Sequence, residues 1–223
     1  MLYQASADAT NRAKKIKILL FDVDGVLTDG SIWIFPKPAG TDETEHSSGI
    51  ASMQGKGGFG IHSTRFVEAK GFSAHDGLGI SLARIAGLTC GVITKRISDT
   101  VALRARDLRL EHVYMGQAHK MNAVREIMQK TGATLEQICF VGDDVVDLPV
   151  LRVCGLAIAV ANARQIVKDT CHWTTPNSGG HGAGRDAVEF ILESQGTLNF
   201  AIEQYCDEKS ALAAASDIGN GGN

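Results

Sequence analysis

Short apolar runs rich in valine, isoleucine and leucine recur along the chain, separated by segments with a different periodicity. The runs that predict strands cover residues 16–21, 88–93, 112–115, 138–141, 156–160 and 172–174. Between them, apolar residues at three- and four-residue spacing predict helices over residues 78–86, 98–108, 119–130, 148–153, 163–169 and 185–194. This alternation predicts the α/β class, as a Rossmann-like parallel sheet with helices on both faces.

Residues 37–65 interrupt this alternation, because they contain six glycines and few large aliphatic side chains. Residues 31–35 alternate in strand fashion before them, and residues 66–72 can return beside that strand. We therefore expect a projecting β-hairpin whose tip carries the insertion 37–65. The whole chain predicts one domain over residues 1–203, followed by a flexible tail over residues 204–223.

The charge balance, the length of the apolar runs and the cysteines indicate which partners and which cellular compartment to expect. Lysine and arginine total 22 against 25 acidic residues, and no dense basic run exists, so nucleic acid is not an expected partner. No apolar run is long enough to cross a bilayer, so membrane insertion is not expected either. The five cysteines are scattered and never stand in C-x-x-C spacing, which is typical of a protein of the reducing cytoplasm.

Two carboxylates directly follow the first predicted strand. Asp22 and Asp24 leave its carboxyl end, and Gly25 then lets the chain turn. In open α/β sheets this edge is where ligands bind. Two carboxylates this close raise each other's pKa unless a cation or a shared proton relieves their repulsion, so the pair calls for a compensating charge. Taken alone, the same residues also fit an acidic turn after a strand.

Polar side chains follow two later strands in the same way. Thr94 follows the second predicted strand, and Asp143 and Asp144 follow the fourth. If these strands are neighbours of the first, their polar residues meet Asp22 at one edge of the sheet. Because Mg²⁺ is typically held by one or two carboxylates, with water and substrate phosphate completing its octahedron, Asp22 and Asp143 suit that role.

Two further polar residues have both a functional and a structural interpretation. Lys120 lies near the start of the predicted helix 119–130, where a cation is unfavourable with respect to the helix dipole. It would relieve the carboxylates and hold a phosphoryl oxygen, or else it is a solvated surface lysine. Asp147 lies one helical turn after Asp143 and could join the carboxylates. Because Pro149 follows it, Asp147 also fits the N-cap of a helix that has proline in its first turn.

The order of these motifs resembles that of the haloacid dehalogenase-like phosphohydrolases. Their chains have Asp-x-Asp first, then a threonine, then a lysine and then Gly-Asp-Asp. More narrowly, three segments are similar to 3-deoxy-D-manno-octulosonate 8-phosphate (KDO 8-phosphate) phosphatases: FDVDGVLTDG at 21–30, GDDVVDLPVLRVCGLAIAVANA at 142–163 and GGHGAGRDAVEFILESQG at 179–196. The resemblance spans roughly residues 16–196 apart from the insertion. It implies a haloacid dehalogenase-like fold without a cap domain.

The resemblance implies a two-step phosphoryl transfer. Asp22 would attack phosphorus and form an aspartyl-phosphate, with a Mg²⁺ ion held by Asp22, the main-chain carbonyl of Asp24 and Asp143. Asp24 would protonate the leaving sugar oxygen and then take a proton from the hydrolytic water. Thr94 and Lys120 would bind the phosphoryl oxygens.

Two arginines are candidate substrate contacts by the same resemblance, in addition to Asp24, Thr94 and Lys120. Arg96 and Arg104 lie eight residues apart, close to two helical turns, so both could lie on one face of the helix after Thr94. Surface solvation is the alternative for Arg104.

Departures from the family pattern leave the substrate open. Lys95 stands where family members commonly have glycine. His75 and His181 stand where they often have a basic residue, and these two histidines weaken the fixed positive charge available to a sugar-acid carboxylate. KDO 8-phosphate is the first choice of substrate, and another nonulosonate or sugar phosphate is the alternative. The family also implies a homotetramer, so a catalytically silent oligomerisation module is the alternative from a different class.

Overall fold

The computed structural model describes residues 3–36, 59–60 and 66–212. The strands are β1 (Ile18–Phe21), β2 (Trp33–Pro36), β3 (Phe59–Gly60), β4 (Phe66–Ala69), β5 (Thr89–Ile93), β6 (Arg96–Ile97), β7 (His112–Tyr114), β8 (Ile138–Gly142), β9 (Leu156–Ala159) and β10 (Trp173–Thr174). The α-helices are α1 (Ala7–Ala13), α2 (Ala74–Ile85), α3 (Asp99–Asp107), α4 (Lys120–Thr131), α5 (Leu148–Leu151), α6 (Gln165–Thr170), α7 (Ala183–Gln195) and α8 (Leu198–Cys206).

Six strands form one parallel sheet in the order β10-β9-β8-β1-β5-β7. β1 lies at its centre, where Phe21 pairs with Val92 of β5 and Val141 of β8. Helices α1, α2, α7 and α8 pack in one group and α4, α5 and α6 in another, and all four residues of β1 are buried. The predicted α/β class is confirmed, and each of the six predicted strands overlaps a strand of this sheet.

The predicted hairpin is also confirmed. β2 and β4 pair antiparallel as a separate sheet, with Trp33 opposite Ala69 and Pro36 opposite Phe66. Every residue of β2 is exposed, so the hairpin projects from the domain. Of the insertion 37–65, the structure describes only β3, whose backbone pairs in parallel with β6. The rest of the predicted insertion loop lies outside the described residues.

Both ends of the domain contain a helix that the apolar pattern did not predict. The apolar residues of α1 are all small and give a weak periodic signal, whereas α8 has large apolar residues, Phe200, Ile202 and Tyr205, that are exposed and do not continue its buried face. α1 buries Ala9 and Ala13 and is capped by Ser6, whose hydroxyl accepts a hydrogen bond from the Ala9 N–H. α8 buries Leu198 and Ala201 and runs past residue 203, so residues 204–206 belong to a helix and not to the expected tail. Residues 213–223 lie outside the described residues. Among the helices that the structure describes, none is both long and apolar enough to cross a membrane.

Candidate active site

Asp22 follows the central strand directly and lies at the carboxyl edge of the sheet. Its N–H continues the ladder by donating to the Val141 carbonyl at 3.0 Å, and its Oδ1 accepts from the Val23 N–H at 2.7 Å. Because Phe21 is level with residues of both flanking strands, the segments after β1, β5 and β8 emerge at one place. The three strands are therefore neighbours in the sheet, as expected.

Lys120 places a cation between two buried carboxylates. It is the first residue of α4, and its Nζ lies 2.8 Å from Asp22 Oδ1 and 2.6 Å from Asp147 Oδ1. Burial alone would lower its pKa, but the charges of Asp22 and Asp147 and their hydrogen bonds raise the pKa of Lys120 above its ordinary value. The side chain is therefore a buried ammonium ion, and the alternative of a solvated surface lysine is excluded.

Asp147 has a structural role that sequence reasoning only partly recognised. It stands at the expected N-cap position of α5, yet its side chain makes no cap hydrogen bond there. Its Oδ1 faces Lys120, and its Oδ2 accepts from the N–H groups of Asp143 at 3.0 Å and Asp144 at 3.4 Å. Asp147 thus joins Lys120 to the turn that carries Asp143.

The carboxylates of Asp22, Asp143 and Asp147 form one cluster, with an oxygen of each within 4.8 Å of the others. Burial and the neighbouring carboxylate charge raise the pKa of Asp22 to about 7 and that of Asp143 to about 8, although Lys120 opposes both shifts. Three carboxylates against one ammonium leave two negative charges when all are ionised. A divalent cation matches that excess, and both oxygens of Asp147 are already engaged, so Asp22 and Asp143 are the side chains that fit as its ligands.

Two glycines allow the loops around this cluster to approach each other. Gly25 has φ of +90°, and a Cβ at this position would lie 2.2 Å from Asp143 Oδ2. A Cβ on Gly179 would lie 1.8 Å from the Gly25 carbonyl oxygen. The Asn162 side chain donates to that carbonyl at 3.1 Å and accepts from the Gly179 N–H at 2.7 Å. Asn162, which sequence reasoning missed, therefore ties the two loops together.

Asp24 faces a second charged group, separate from the three clustered carboxylates. Its Oδ1 contacts the Lys70 ammonium, and its Oδ2 lies 3.7 Å from Arg96 Nε. Glu68 accepts a hydrogen bond from Arg96 Nη2 at 2.8 Å. Sequence reasoning missed Glu68 and Lys70, although their i, i+2 spacing at the end of a strand indicated that both face one side.

The two candidate arginines occupy different elements. Arg96 lies in β6, because Ser98 caps the following helix and α3 begins only at Asp99. The prediction that Arg96 and Arg104 share a helix face is therefore wrong. The Arg104 guanidinium lies 5.8 Å from the centroid of the Phe72 ring, and its Nη2 donates to the Ser73 carbonyl oxygen at 3.5 Å.

Of the remaining residues of the expected site, Thr94 lies at the same edge, directly after β5, the strand that pairs with β1. It is buried, and its N–H donates to the Tyr114 carbonyl at 2.9 Å. His75 and His181 are exposed, and Lys95 is half-buried. The edge therefore combines a buried carboxylate beside a cation, a hydroxyl residue and a second carboxylate, which is a set suited to nucleophilic attack, anion binding and proton transfer.

Comparisons with known proteins agree with this chemistry. A family model for haloacid dehalogenase-like hydrolases matches residues 93–184. The KDO 8-phosphate phosphatase of Escherichia coli K12 is 32% identical over 199 residues, which cover 89% of this chain and 91% of that enzyme. The similarity therefore extends over nearly the whole of both proteins.

Solved structures give the same grouping. The KDO 8-phosphate phosphatase of Yersinia pestis superposes with a TM-score of 0.73 at 30% identity, covering 89% of this chain and 93% of that one. The enzyme of the same name from Moraxella catarrhalis, crystallised with a magnesium ion, a phosphate ion and KDO, gives a TM-score of 0.72 at 30% identity. That comparison covers 89% of this chain and 98% of the other.

Proposed function

Since this chain belongs to the KDO 8-phosphate phosphatase family of haloacid dehalogenase-like hydrolases, we propose that it hydrolyses KDO 8-phosphate to KDO and inorganic phosphate. The observation that carries the proposal is the contact of buried Asp22 with Lys120, in one cluster with Asp143. This geometry supports the roles proposed for the three residues: Asp22 as nucleophile, Lys120 as the cation and Asp143 as a second carboxylate beside the phosphoryl group.

In the first step, an oxygen of Asp22 forms a bond to phosphorus and the bond between phosphorus and the sugar oxygen breaks. Asp24 gives a proton to that leaving oxygen. Lys120 and Thr94 hold the other phosphoryl oxygens, where negative charge must be stabilised. In the second step, Asp24 takes a proton from a water molecule, which attacks phosphorus and releases Asp22 and inorganic phosphate.

The residues also fit a magnesium ion. Asp22, the main-chain carbonyl of Asp24 and Asp143 would hold it, and the two excess negative charges of the carboxylate cluster support a divalent ion. When bound, the ion would neutralise charge that accumulates on the transferring phosphoryl group. Asp147 would keep Lys120 and the Asp143 turn in place from behind.

Arg96 is the stronger of the two candidate arginines for contact with the substrate. Its Nε lies 3.7 Å from Asp24 Oδ2, beside the proposed general acid, whereas no contact of Arg104 with Asp24 is seen among the described residues. The Nε atoms of both arginines are buried without a hydrogen-bond partner among the described residues, so an oxygen of the substrate would satisfy that of Arg96. The contacts of Arg104 are with Phe72 and Ser73, and its role in substrate binding stays a prediction.

We place the enzyme in the cytoplasm as a homotetramer. All five cysteines are free thiols, the state that a reducing compartment maintains. The projecting hairpin exposes a contiguous set of large apolar side chains, and an isolated two-stranded hairpin is marginally stable in water. Contact between hairpins of several copies of this chain would cover that surface. These apolar residues are Ile32, Trp33, Ile34, Phe35, Phe66 and Val67.

The test is phosphate release by the purified protein with Mg²⁺, on KDO 8-phosphate and on a panel of other sugar phosphates. We expect KDO 8-phosphate to be turned over fastest, and the variant Asp22→Asn to release no phosphate while it keeps the fold and oligomeric state of the wild type. Faster turnover of another sugar phosphate would transfer the assignment to that compound. Unchanged release by Asp22→Asn would reject Asp22 as the nucleophile, and no release by the wild type would favour a silent oligomerisation module.

A further inference from the structure

The end of the hairpin's return strand brings a buried cation to Asp24. Lys70 follows β4, and its side chain has no exposed surface. Its ammonium contacts Asp24 Oδ1 and lies 3.6 Å from Glu68 Oε1. A lysine is almost never fully buried unless it is paired, because removing its charge from water is costly. The contact with Asp24 is therefore the interaction that this side chain is placed to make.

Glu68 fixes the position of this cation. Its Oε1 accepts from Ser98 Oγ at 2.6 Å and its Oε2 from Arg96 Nη2 at 2.8 Å. Its main-chain carbonyl also accepts from Thr100 Oγ1 at 3.0 Å. Although burial opposes the shift, these hydrogen bonds and the nearby cations lower the pKa of Glu68, so it is a carboxylate. Glu68 thereby fastens the end of the hairpin to the start of α3.

We propose that Lys70, anchored by Glu68, is a positioning residue that holds Asp24 Oδ1 and leaves Oδ2 as the oxygen that exchanges a proton with the leaving group. Asp24 Oδ2 lies 3.7 Å from Arg96 Nε, which is outside hydrogen-bond range. Oδ2 is therefore free to form a hydrogen bond with an oxygen of the substrate. Lys70 itself does not touch the reacting atoms. The inference rests on the proposed function, because it assigns the geometry of the proton transfer in that reaction.

Lys70 serves the first step of the reaction, in which the sugar leaves. An Asp22 oxygen forms its bond to phosphorus while the bond from phosphorus to the leaving oxygen breaks, and the electron pair of that bond stays on the leaving oxygen. The proton on Asp24 Oδ2 moves to this oxygen, which leaves as an alcohol, and Asp24 becomes a carboxylate. A sugar alkoxide needs that proton, whereas p-nitrophenolate is a stable anion and leaves without it.

This difference between leaving groups supplies the experiment. Lys70→Met removes the charge at similar length, and Lys70→Arg restores it. Lys130→Met is the matched control, since Lys130 is an exposed lysine paired with Glu126. Leaving-group release in a single turnover, with enzyme in excess, is measured with p-nitrophenyl phosphate and with the sugar phosphate that the wild type hydrolyses fastest.

We expect Lys70→Met to slow release of the sugar by about 100-fold, the scale on which misplacement of a catalytic group acts. Release of p-nitrophenol should fall by less than about threefold, because it needs no general acid. Lys70→Arg should recover most of the sugar rate, and Lys130→Met should match the wild type on both substrates. The enzyme concentration that gives half of the maximal single-turnover rate should change little, since the effect lies in the chemical step and not in binding.

Equal losses on the two substrates, or no loss on either, would overturn the inference, because a merely structural ion pair has no reason to distinguish leaving groups. If circular dichroism shows that Lys70→Met is unfolded, Glu68→Gln replaces it. This variant keeps a hydrogen-bond acceptor for Ser98 but loses the charge that anchors Lys70, and the same ratio of rates decides. A wild-type protein that releases neither product would refute the proposed function itself, and the inference with it.

Discussion

Lys120 Nζ lies 2.8 Å from Asp22 Oδ1 at a point where both side chains are almost completely buried. The same ammonium serves Asp147 on its other side. One cation therefore compensates two carboxylates, and Asp143 adds a third to the cluster. This shortage of positive charge determines both the stability of the site and its demand for a divalent ion.

Removal of the Lys120 charge should destabilise the protein strongly. Lys120→Met leaves Asp22 and Asp147 without their cation, so we expect the free energy of unfolding at neutral pH to fall by about 3–5 kcal/mol and phosphate release to be lost. Urea denaturation measures the first effect. The exposed lysine variant Lys130→Met should leave the free energy of unfolding close to that of the wild type. Equal costs for the two variants would contradict the role assigned to Lys120.

The carboxylate cluster should make the metal-free protein less stable as the pH rises. Burial and the charges of Asp22 and Asp147 raise the pKa of Asp143 from its ordinary value of 3.8 to about 8, so between these values the folded state binds a proton that the unfolded state has lost. Stability then falls with increasing pH. We expect the free energy of unfolding to fall by about 3–4 kcal/mol between pH 5 and pH 8 in the presence of a chelator, as measured by denaturant unfolding at each pH.

Magnesium should reverse this dependence, because it replaces the proton at the cluster. We expect Mg²⁺ to raise the melting temperature more at pH 8 than at pH 6, as ligand binding to the folded state requires. Asp143→Asn should weaken both the pH dependence and the magnesium effect, whereas Asp99→Asn, which changes an exposed aspartate, should leave both in place. An Asp143→Asn protein with the wild-type response to Mg²⁺ would exclude Asp143 as a ligand.

Alanine substitutions at two glycines should distinguish the effect of backbone strain from the effect of crowding at the site. Gly25 and Gly87 have φ of +90° and +85°, but an added Cβ at Gly25 meets Asp143, while at Gly87 it meets nothing within 4 Å. Substitution by alanine should cost each position about 1 kcal/mol for its backbone conformation. Only Gly25→Ala should also displace Asp143, and we expect its phosphate release to fall at least about 100-fold. Full activity in Gly25→Ala would show that the turn tolerates this displacement.

The sequence predicted those parts of the site that depend on local pattern. Buried parallel strands form continuous apolar runs, so the ends of β1, β5 and β8 could be located, and with them Asp22, Thr94 and Asp143. Lys120 could be suspected from its unfavourable place at a helix start. The contact of Lys70 with Asp24 could not be predicted in this way, because it joins residues 46 positions apart through a hairpin whose docking no local pattern encodes.

Arg96 shows a second limit of local reasoning. A spacing close to two helical turns suggested that Arg96 shares a helix face with Arg104, but Ser98 delays the helix and leaves Arg96 in a two-residue strand. The cap was visible in the sequence, whereas the pairing of β6 with β3 was not, because it involves a segment of the insertion. The start of α3 was thus predicted to within one residue, whereas a short strand formed with a distant part of the chain was missed.

The exposed hairpin should control the oligomeric state. Trp33 is 58% exposed and stacks on Phe35, with ring centroids 6.5 Å apart, at the centre of the apolar surface. If copies of the chain assemble through this surface, the double substitution of Trp33→Ser and Phe35→Ser should shift the protein from a tetramer to smaller species in analytical ultracentrifugation. Ile166→Ser, which alters a similarly exposed apolar residue on α6, should sediment like the wild type. Because both hairpin residues are already exposed in the single chain, the double variant should keep its fold by circular dichroism. A double variant that still sediments as the wild type would mean that the hairpin is not the contact between subunits.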